Sequence, residues 1–430
     1  MTDIYIKDAP KKVGEEVKIR GWAYNFRSSG SIYFLQVRDG SGRIQGIISK
    51  KDVAPELWEN LSHITMETSV VVGGKLRVEK RAPSGVELDV TSLEIVAVAA
   101  EYPIAKKEHG TDFLMDNRHL WIRSSRQEAI LRVRNEIEKA WRDFFYDRGF
   151  ILTDSPVFTP SACEGTTDLF EVKYFDDVAY LTQSGQLYLE ATAAALGRVY
   201  CFGPTFRSEK SKTRRHLTEF WMLEAEGAFV EFEENLKIQE DLVEFTVHRV
   251  LERRADDLKI LERNLEPLQK ILAPFPRLTY DEALAKLKEL GSDIKWGDDL
   301  GADDETILTK QYEKPIFVTR YPVEVKAFYM KPDPQNPKVV LNADLLAPEG
   351  YGEVIGGSQR IDDLNLLEAR IREHSLPKEA FEWYLDIRRF GSFPHSGFGI
   401  GLERTVAWIC GLEHVRETIP FPRLLNRLKP

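Results

Sequence analysis

Gly397, Gly399 and Gly401 alternate in the run Gly397-Phe398-Gly399-Ile400-Gly401-Leu402-Glu403-Arg404, and this spacing constrains the fold more than any other segment. Successive side chains point to opposite faces of a strand, so the three glycines leave one face bare. A bare strand can lie close under a flat ligand. The apolar run that follows, with Val406, Ala407, Ile409 and Cys410, reads as a helix, and Arg404 emerges near its start. The glycine spacing is GxGxG, followed directly by Glu403-Arg404, which separates it from the GxGxxG of dinucleotide-binding folds.

A second segment suits the same task. Thr205-Phe206-Arg207-Ser208-Glu209, a basic loop from Lys210 to His216, and Leu217-Thr218-Glu219-Phe220-Trp221-Met222-Leu223-Glu224 read as a hairpin with a polar tip. Alternation places Arg207 and Glu209 on one face, and Phe220, Met222 and Glu224 on one face of the return strand. A nucleoside triphosphate needs a guanidinium for phosphate, acceptors for the adenine amino group and an aromatic face for the base. A solvated hairpin tip is the competing reading of the charged loop.

The rest of the chain divides by pattern. Val17 to Phe26, Ser31 to Asp39, Arg43 to Ser49, Ser69 to Glu79 and Gly85 to Val98 read as strands separated by turn signals, with a helical stretch at Pro55 to Ile64. Three strands, a helix and two strands follow the order of an OB barrel over residues 1–98. Residues 99–125 lack a sustained period and read as a hinge. Ile130, Val133, Ile137, Trp141, Phe144 and Phe145 recur at helical spacing up to Gly149, opening a second domain over 126–430. A mostly helical, acidic stretch at about 232–308 looks like an insertion. The expected fold class is α+β.

Composition narrows the function. At 430 residues the chain can build two or three domains, and no apolar run approaches a membrane span. A soluble, cytosolic protein with no membrane partner is expected. Three scattered cysteines, Cys163, Cys201 and Cys410, suggest neither disulfides nor a zinc site, and a net charge of −10 argues against indiscriminate nucleic-acid coating.

With Gly149-Phe150-Ile151-Leu152-Thr153-Asp154-Ser155-Pro156, a helix end turning into a strand, these segments resemble motifs 1, 2 and 3 of the class II aminoacyl-tRNA synthetases. The layout is similar to the aspartyl, asparaginyl and lysyl subgroup, and the resemblance covers nearly the whole chain. It implies an OB barrel that binds an anticodon and a catalytic domain built on an antiparallel sheet flanked by helices. It also implies a homodimer through motif 1, ATP as substrate, and Mg2+. Arg207 and Arg404 become the catalytic cations. Glu209, Arg215, His216, Phe220 and Glu353 join them around ATP, while Asp344 and Glu353 match the carboxylates that hold magnesium. Gly356 stands where some relatives have a serine, a departure in the surroundings of that metal.

For the amino acid, the resemblance points to Glu164 and Gln186 as acceptors for the α-ammonium, with Ser184 beside them, and to Glu224 and Arg360 as readers of the side chain. Aspartyl enzymes carry a lysine where this chain has Leu189, so a bound aspartate would lack its counter-charge. A neutral amide fits better: Glu224 can accept from its NH₂ and Arg360 can donate to its carbonyl. The expected partners are therefore asparagine, ATP and tRNA(Asn). Arg27, Phe34 and Gln45 match positions that grip an anticodon by stacking and hydrogen bonds, although Phe34 also suits a barrel core. An aspartyl enzyme, a tRNA-independent asparagine-forming relative and an OB protein with an inert catalytic relic are the alternatives. His395 beside Ser396 reads as part of the strand entering motif 3 rather than as a nucleophilic pair.

Overall fold

A computed structural model describes residues 1–82, 84–105, 107–160 and 168–430. It divides into two compact units, Met1–Gly110 and Thr111–Pro430.

In the first unit, β1 (Glu16–Ser29), β2 (Ile32–Arg38), β3 (Arg43–Ser49), β4 (Ser69–Val78) and β5 (Val86–Ala97) form a barrel, with α1 (Pro55–Asn60) between β3 and β4. The order is β1-β2-β3-β5-β4, and β4 pairs back onto β1 to close it. Closure removes the free sheet edges. Alternation fills the interior: Tyr33, Leu35 and Val37 point inward on β2, with Ile44 and Ile48 on β3. Gly74 marks a close approach, because a Cβ there would overlap the Asp89 carbonyl across the β4–β5 pair.

The second unit is built on an eight-stranded sheet. Its strands are β6 (Ile151–Leu152), β7 (Arg198–Phe206), β8 (Glu219–Ala228), β9 (Arg277–Thr279), β10 (Ile316–Thr319), β11 (Asn342–Ala347), β12 (Gly352–Gln359) and β13 (His395–Gly401). The spatial order is β9-β10-β11-β12-β13-β8-β7-β6. All neighbours run antiparallel except the outer pairs β9–β10 and β6–β7.

Helices cover one face of the sheet. In α2 (Ser125–Asp147) the Ser124 side chain caps the first turn by accepting from the Gln127 N–H. Its apolar stripe of Ile130, Val133, Ile137, Trp141, Phe144 and Phe145 is wholly buried. The helix packs along α4 (Phe232–Ile260), where Trp141 Nε1 donates to Thr246 Oγ1 at 3.1 Å. Burying such aromatic side chains contributes roughly 2–3 kcal/mol each before entropy is counted. The short helix α3 (Gln186–Leu196) lies between β6 and β7 in the chain, α5 (Ala302–Thr309) precedes β10, α6 (Glu382–Arg389) precedes β13, and α7 (Leu402–Cys410) follows it.

Two expectations about boundaries meet a different structure. Part of the stretch read as a hinge belongs to the second unit: Arg118 is fully buried and donates to the carbonyls of Glu417, Ile419 and Pro420. These bonds join residues about 300 apart, which local periodicity cannot register. The stretch read as an insertion contains α4, which packs against α2 in the main core, and β9, which extends the central sheet. Cys201 and Cys410 are buried free thiols, while Cys163 lies outside the described residues.

A candidate active site on the central sheet

The bare strand lies at the middle of this sheet, and its register explains the glycines. β13 pairs Gly397 with Glu226, Gly399 with Glu224 and Gly401 with Met222 on β8. A Cβ at Gly397 would overlap the Glu226 carboxylate, and one at Gly399 would meet Met222 Sδ at 2.7 Å. The glycines thus make room for β8 side chains to lie across the sheet, as well as for a ligand.

Above them lie two adjoining cavities of about 500 and 410 Å³. Both are lined by Arg207, Lys326, Asp344 and Glu353, so they read as two ends of one cleft. Sizes in this range suit small ligands.

The larger end gathers Glu209, Arg215, His216, Phe220 and Arg404 with Arg207 and Glu353. The two strands of the expected hairpin pair from Arg198↔Gly227 to Phe206↔Glu219, which brings Arg207 and Phe220 to one end. Cations here are held by the chain's own acids. Arg404 Nη1 donates to the Glu353 carbonyl and to its Oε2, both at 3.0 Å. Lys326 Nζ bonds Asp344 Oδ2 at 2.9 Å and Asp299 Oδ1 at 3.2 Å. Arg215 lines the cavity but is clasped by Glu305 Oε2 at 2.7 Å, by Thr306 and by the Gly350 carbonyl.

These contacts set the ionisation. Burial, reinforced by the Glu353 charge, pushes Glu305 up to about 7. Burial likewise raises Asp344 to about 6 against the pull of Lys326. Burial opposes ionisation of Glu353 too, but Arg404 and Lys326 outweigh it and hold that carboxyl below its ordinary value. The protein packed around His216, with the Arg404 and Arg207 charges, lowers the imidazole to about 4, although part of the ring is open to solvent.

Magnesium can be tested against this donor set. Asp344 and Glu353 face one cleft with Gly356 between them, where a Cβ would meet Glu353 Oε1 at 2.9 Å and Asp344 Oδ1 at 3.8 Å. Among the described residues no three His, Cys, Asp or Glu side chains gather to hold a metal by themselves. Two hard carboxylates that leave other positions to water and phosphate fit magnesium.

The smaller end is walled by buried, paired side chains. Ser184, Gln186, Leu189, Glu224, Glu226 and Arg360 line it, and all six are buried. Ser184 Oγ and the Gly185 N–H donate to Glu224, the latter at 2.7 Å. Arg360 bonds Glu226 from Nη2 at 3.0 Å and from Nε at 3.2 Å, and Ser358 Oγ from Nη1 at 2.8 Å. Sequence reasoning paired Glu224 with Arg360 as joint readers and passed over Glu226. The signal was present, because Glu226 lies two residues beyond Glu224 and shares its face. Glu164 lies outside the described residues.

Residues 110–425 match the model of the tRNA synthetases class II (D, K and N), and residues 17–96 match that of the OB-fold nucleic acid binding domain. The chain belongs to the class II tRNA synthetases of the D, K and N group. Within this family it is 62% identical to the asparagine–tRNA ligase of Desulforamulus reducens over 100% of both chains. It is 59% identical to that of Pelotomaculum thermopropionicum, again over 100% of both. The structure resembles the asparaginyl-tRNA synthetase of Pyrococcus horikoshii complexed with asparaginyl-adenylate, with a TM-score of 0.97 at 43% identity over the full length of both. Class II membership agrees with the motif reading, and so does the OB barrel.

In the barrel unit of this synthetase, Phe34 lies on the outer face rather than in the core, since Tyr33 and Leu35 beside it point inward. Arg27 stacks over its ring at 4.3 Å, on a paired position of the neighbouring strand. Gln45 Nε2 donates to Glu87 Oε1 at 2.6 Å on the same outer side. Among the described residues of either unit, no helix is long and apolar enough to cross a membrane.

Proposed function

We propose that the chain activates asparagine with ATP and transfers the asparaginyl group to tRNA(Asn). The observation that carries this reading is the amino-acid end of the cleft. Glu224 is held there by the Ser184 hydroxyl, the Gly185 N–H and the Cys201 thiol, Arg360 is neutralised by Glu226, and Leu189 replaces a lysine. An amide fills that site with both ends paired: its NH₂ faces Glu224 and its carbonyl faces Arg360. An aspartate carboxylate would meet Glu224 as a like charge, with the facing Arg360 already neutralised by Glu226, at a cost of several kcal/mol.

The carboxylate of asparagine attacks the ATP α-phosphorus, and pyrophosphate leaves. A hydroxyl of the terminal ribose of the tRNA then attacks the carbonyl carbon of the adenylate, and AMP leaves. Nothing in the chain becomes covalently bonded. In this reading Arg207 neutralises the α-phosphate, and Phe220 and Arg404 enclose the adenine. Arg215 and His216 suit the outer phosphates. Catalysis is positioning and preorganised charge. Asp344 and Glu353 would hold Mg2+, whose charge offsets that of the triphosphate. Gln186 and Glu164 are assigned to the α-ammonium.

Arg27, Phe34 and Gln45 form the candidate anticodon surface, with Phe34 and its guanidinium cover offering a stacking platform. A second copy of the chain is expected at β6. This edge strand exposes Ile151 at 44% and Leu152 at 42%, an apolar edge that calls for cover. The cytosol, where tRNA is charged, is the assigned compartment.

Pyrophosphate exchange with asparagine and with aspartate, run side by side, tests the reading. Asparagine-dependent exchange is expected, and exchange with aspartate alone would sink it. Charging of tRNA(Asn) then separates a ligase from a tRNA-independent enzyme. Phe34→Ala is expected to lose charging while keeping exchange.

A further inference from the structure

A carboxylate that touches neither proposed substrate lies directly behind the amino-acid end. Glu190 is fully buried and accepts from three side chains, with the His395 ring also in hydrogen-bond reach. Tyr384 Oη donates at 2.8 Å and Arg388 Nη2 at 2.7 Å, both from α6; His395 Nε2 from β13 lies at 2.8 Å; Gln186 Nε2, one turn earlier on α3, donates at 3.0 Å. A buried carboxylate without such partners would be strongly destabilising. Burial alone would raise this carboxyl, but the Arg388 charge and the His395 bond outweigh it and keep it well below the usual range.

The chemistry of an ionised carboxylate restricts its neighbour. It only accepts hydrogen bonds, so the end of the Gln186 amide that faces Glu190 must be the NH₂. Gln186 also lines the smaller cavity, and the other end of its amide is the carbonyl oxygen. We propose that Glu190 is a positioning residue for the amino-acid substrate, fixing the Gln186 amide so that its carbonyl oxygen serves the α-ammonium. Without a fixed acceptor behind it, an amide can present either end, and a donor turned toward an ammonium repels it. The same fixed orientation disfavours any ligand that places an acceptor at this point. Tyr384, Arg388 and His395 act through Glu190: they hold it ionised and leave the Gln186 bond as its only link to the cleft among these contacts.

This inference rests on the smaller end being the amino-acid site, and the test separates the two. Pyrophosphate exchange by the wild-type enzyme with asparagine is the control for the site reading; its absence rejects that reading whatever the variants do. Given wild-type exchange, Glu190→Gln is expected to raise the KM for asparagine about tenfold or more, with the KM for ATP within about twofold. Succinamic acid, which is asparagine without its α-ammonium, should inhibit wild type and Glu190→Gln equally. Gln186→Ala should raise the asparagine KM comparably, and the double variant should be no worse than Gln186→Ala alone. Tyr384→Phe, which removes one donor and keeps the ring, supplies a milder variant with an expected rise of a few-fold in the asparagine KM alone. An unchanged asparagine KM in folded Glu190→Gln or Tyr384→Phe overturns the proposal. So does a parallel loss of ATP or succinamic acid binding, the pattern of a general structural defect.

Discussion

The two ends of the cleft solve opposite problems with the same residue types. At the amino-acid end, Arg360 is buried against Glu226, and Arg388 and His395 are buried against Glu190, while Glu224, Gln186 and Arg360 line the cavity. At the ATP end, Arg404, Arg215 and Lys326 are bonded to Glu353, Glu305 and Asp344, which line the space where a triphosphate would lie. The first arrangement is a finished mould for a small neutral side chain. The second holds its positive charge on acids, from which a bound triphosphate would draw it. Specificity calls for rigidity, whereas binding a tetra-anion tolerates exchange of partners.

The largest expected effect breaks the rigid end. Arg360→Gln strands Glu226 in a buried site, so unfolding free energy in urea should fall by about 3–5 kcal/mol, and asparagine-dependent exchange should vanish. A loss below about 1 kcal/mol would show that this end is not tightly preassembled. Next, Glu224→Gln keeps the shape and removes the charge. The kcat/KM ratio of asparagine to aspartate in exchange assays should drop about 10–100-fold, and an unchanged ratio would place discrimination elsewhere.

The exchangeable end should respond more gently. Glu305→Gln loosens the clasp on Arg215 but leaves its bonds to Thr306 and Gly350. The KM for ATP is therefore expected to fall by about threefold or less. A rise would mean that Glu305 serves the nucleotide directly.

The smallest effect is in pH dependence, at the residue before Val415 on the wall of the larger end. His414 Nδ1 accepts from the Arg416 N–H at 3.1 Å, a role open only to an unprotonated nitrogen. Burial first, then the Arg416 charge, lowers this imidazole to about 4. The unfolded chain, with an ordinary value near 6.5, takes up the proton first. Stability from this group is therefore complete above about pH 6.5 and is lost as pH falls toward about 4. His414→Asn preserves an acceptor without titrating, so melting temperature should decline less steeply from pH 6.5 to 4.5 than in wild type.

Much of this was legible in the chain because the physics is local. Alternation and turn residues placed all five barrel strands within three residues of their observed ends, and the α2 stripe was readable at helical spacing. The GxGxG strand and the Arg207 hairpin announced a nucleotide surface, since their chemistry resides in short segments. What tertiary structure alone decided is which buried charges meet. Arg360 chose Glu226, 134 residues away, over Glu224; Glu190 found Tyr384, Arg388 and His395 about 200 residues further along; Arg118 docked on a turn near the C-terminus. A buried charge must be neutralised by whatever the packed sheet brings within about 3 Å. Periodicity along a strand gives the face on which a side chain lies, but the partner across it is set by register and crossover, which exist only once the sheet has formed.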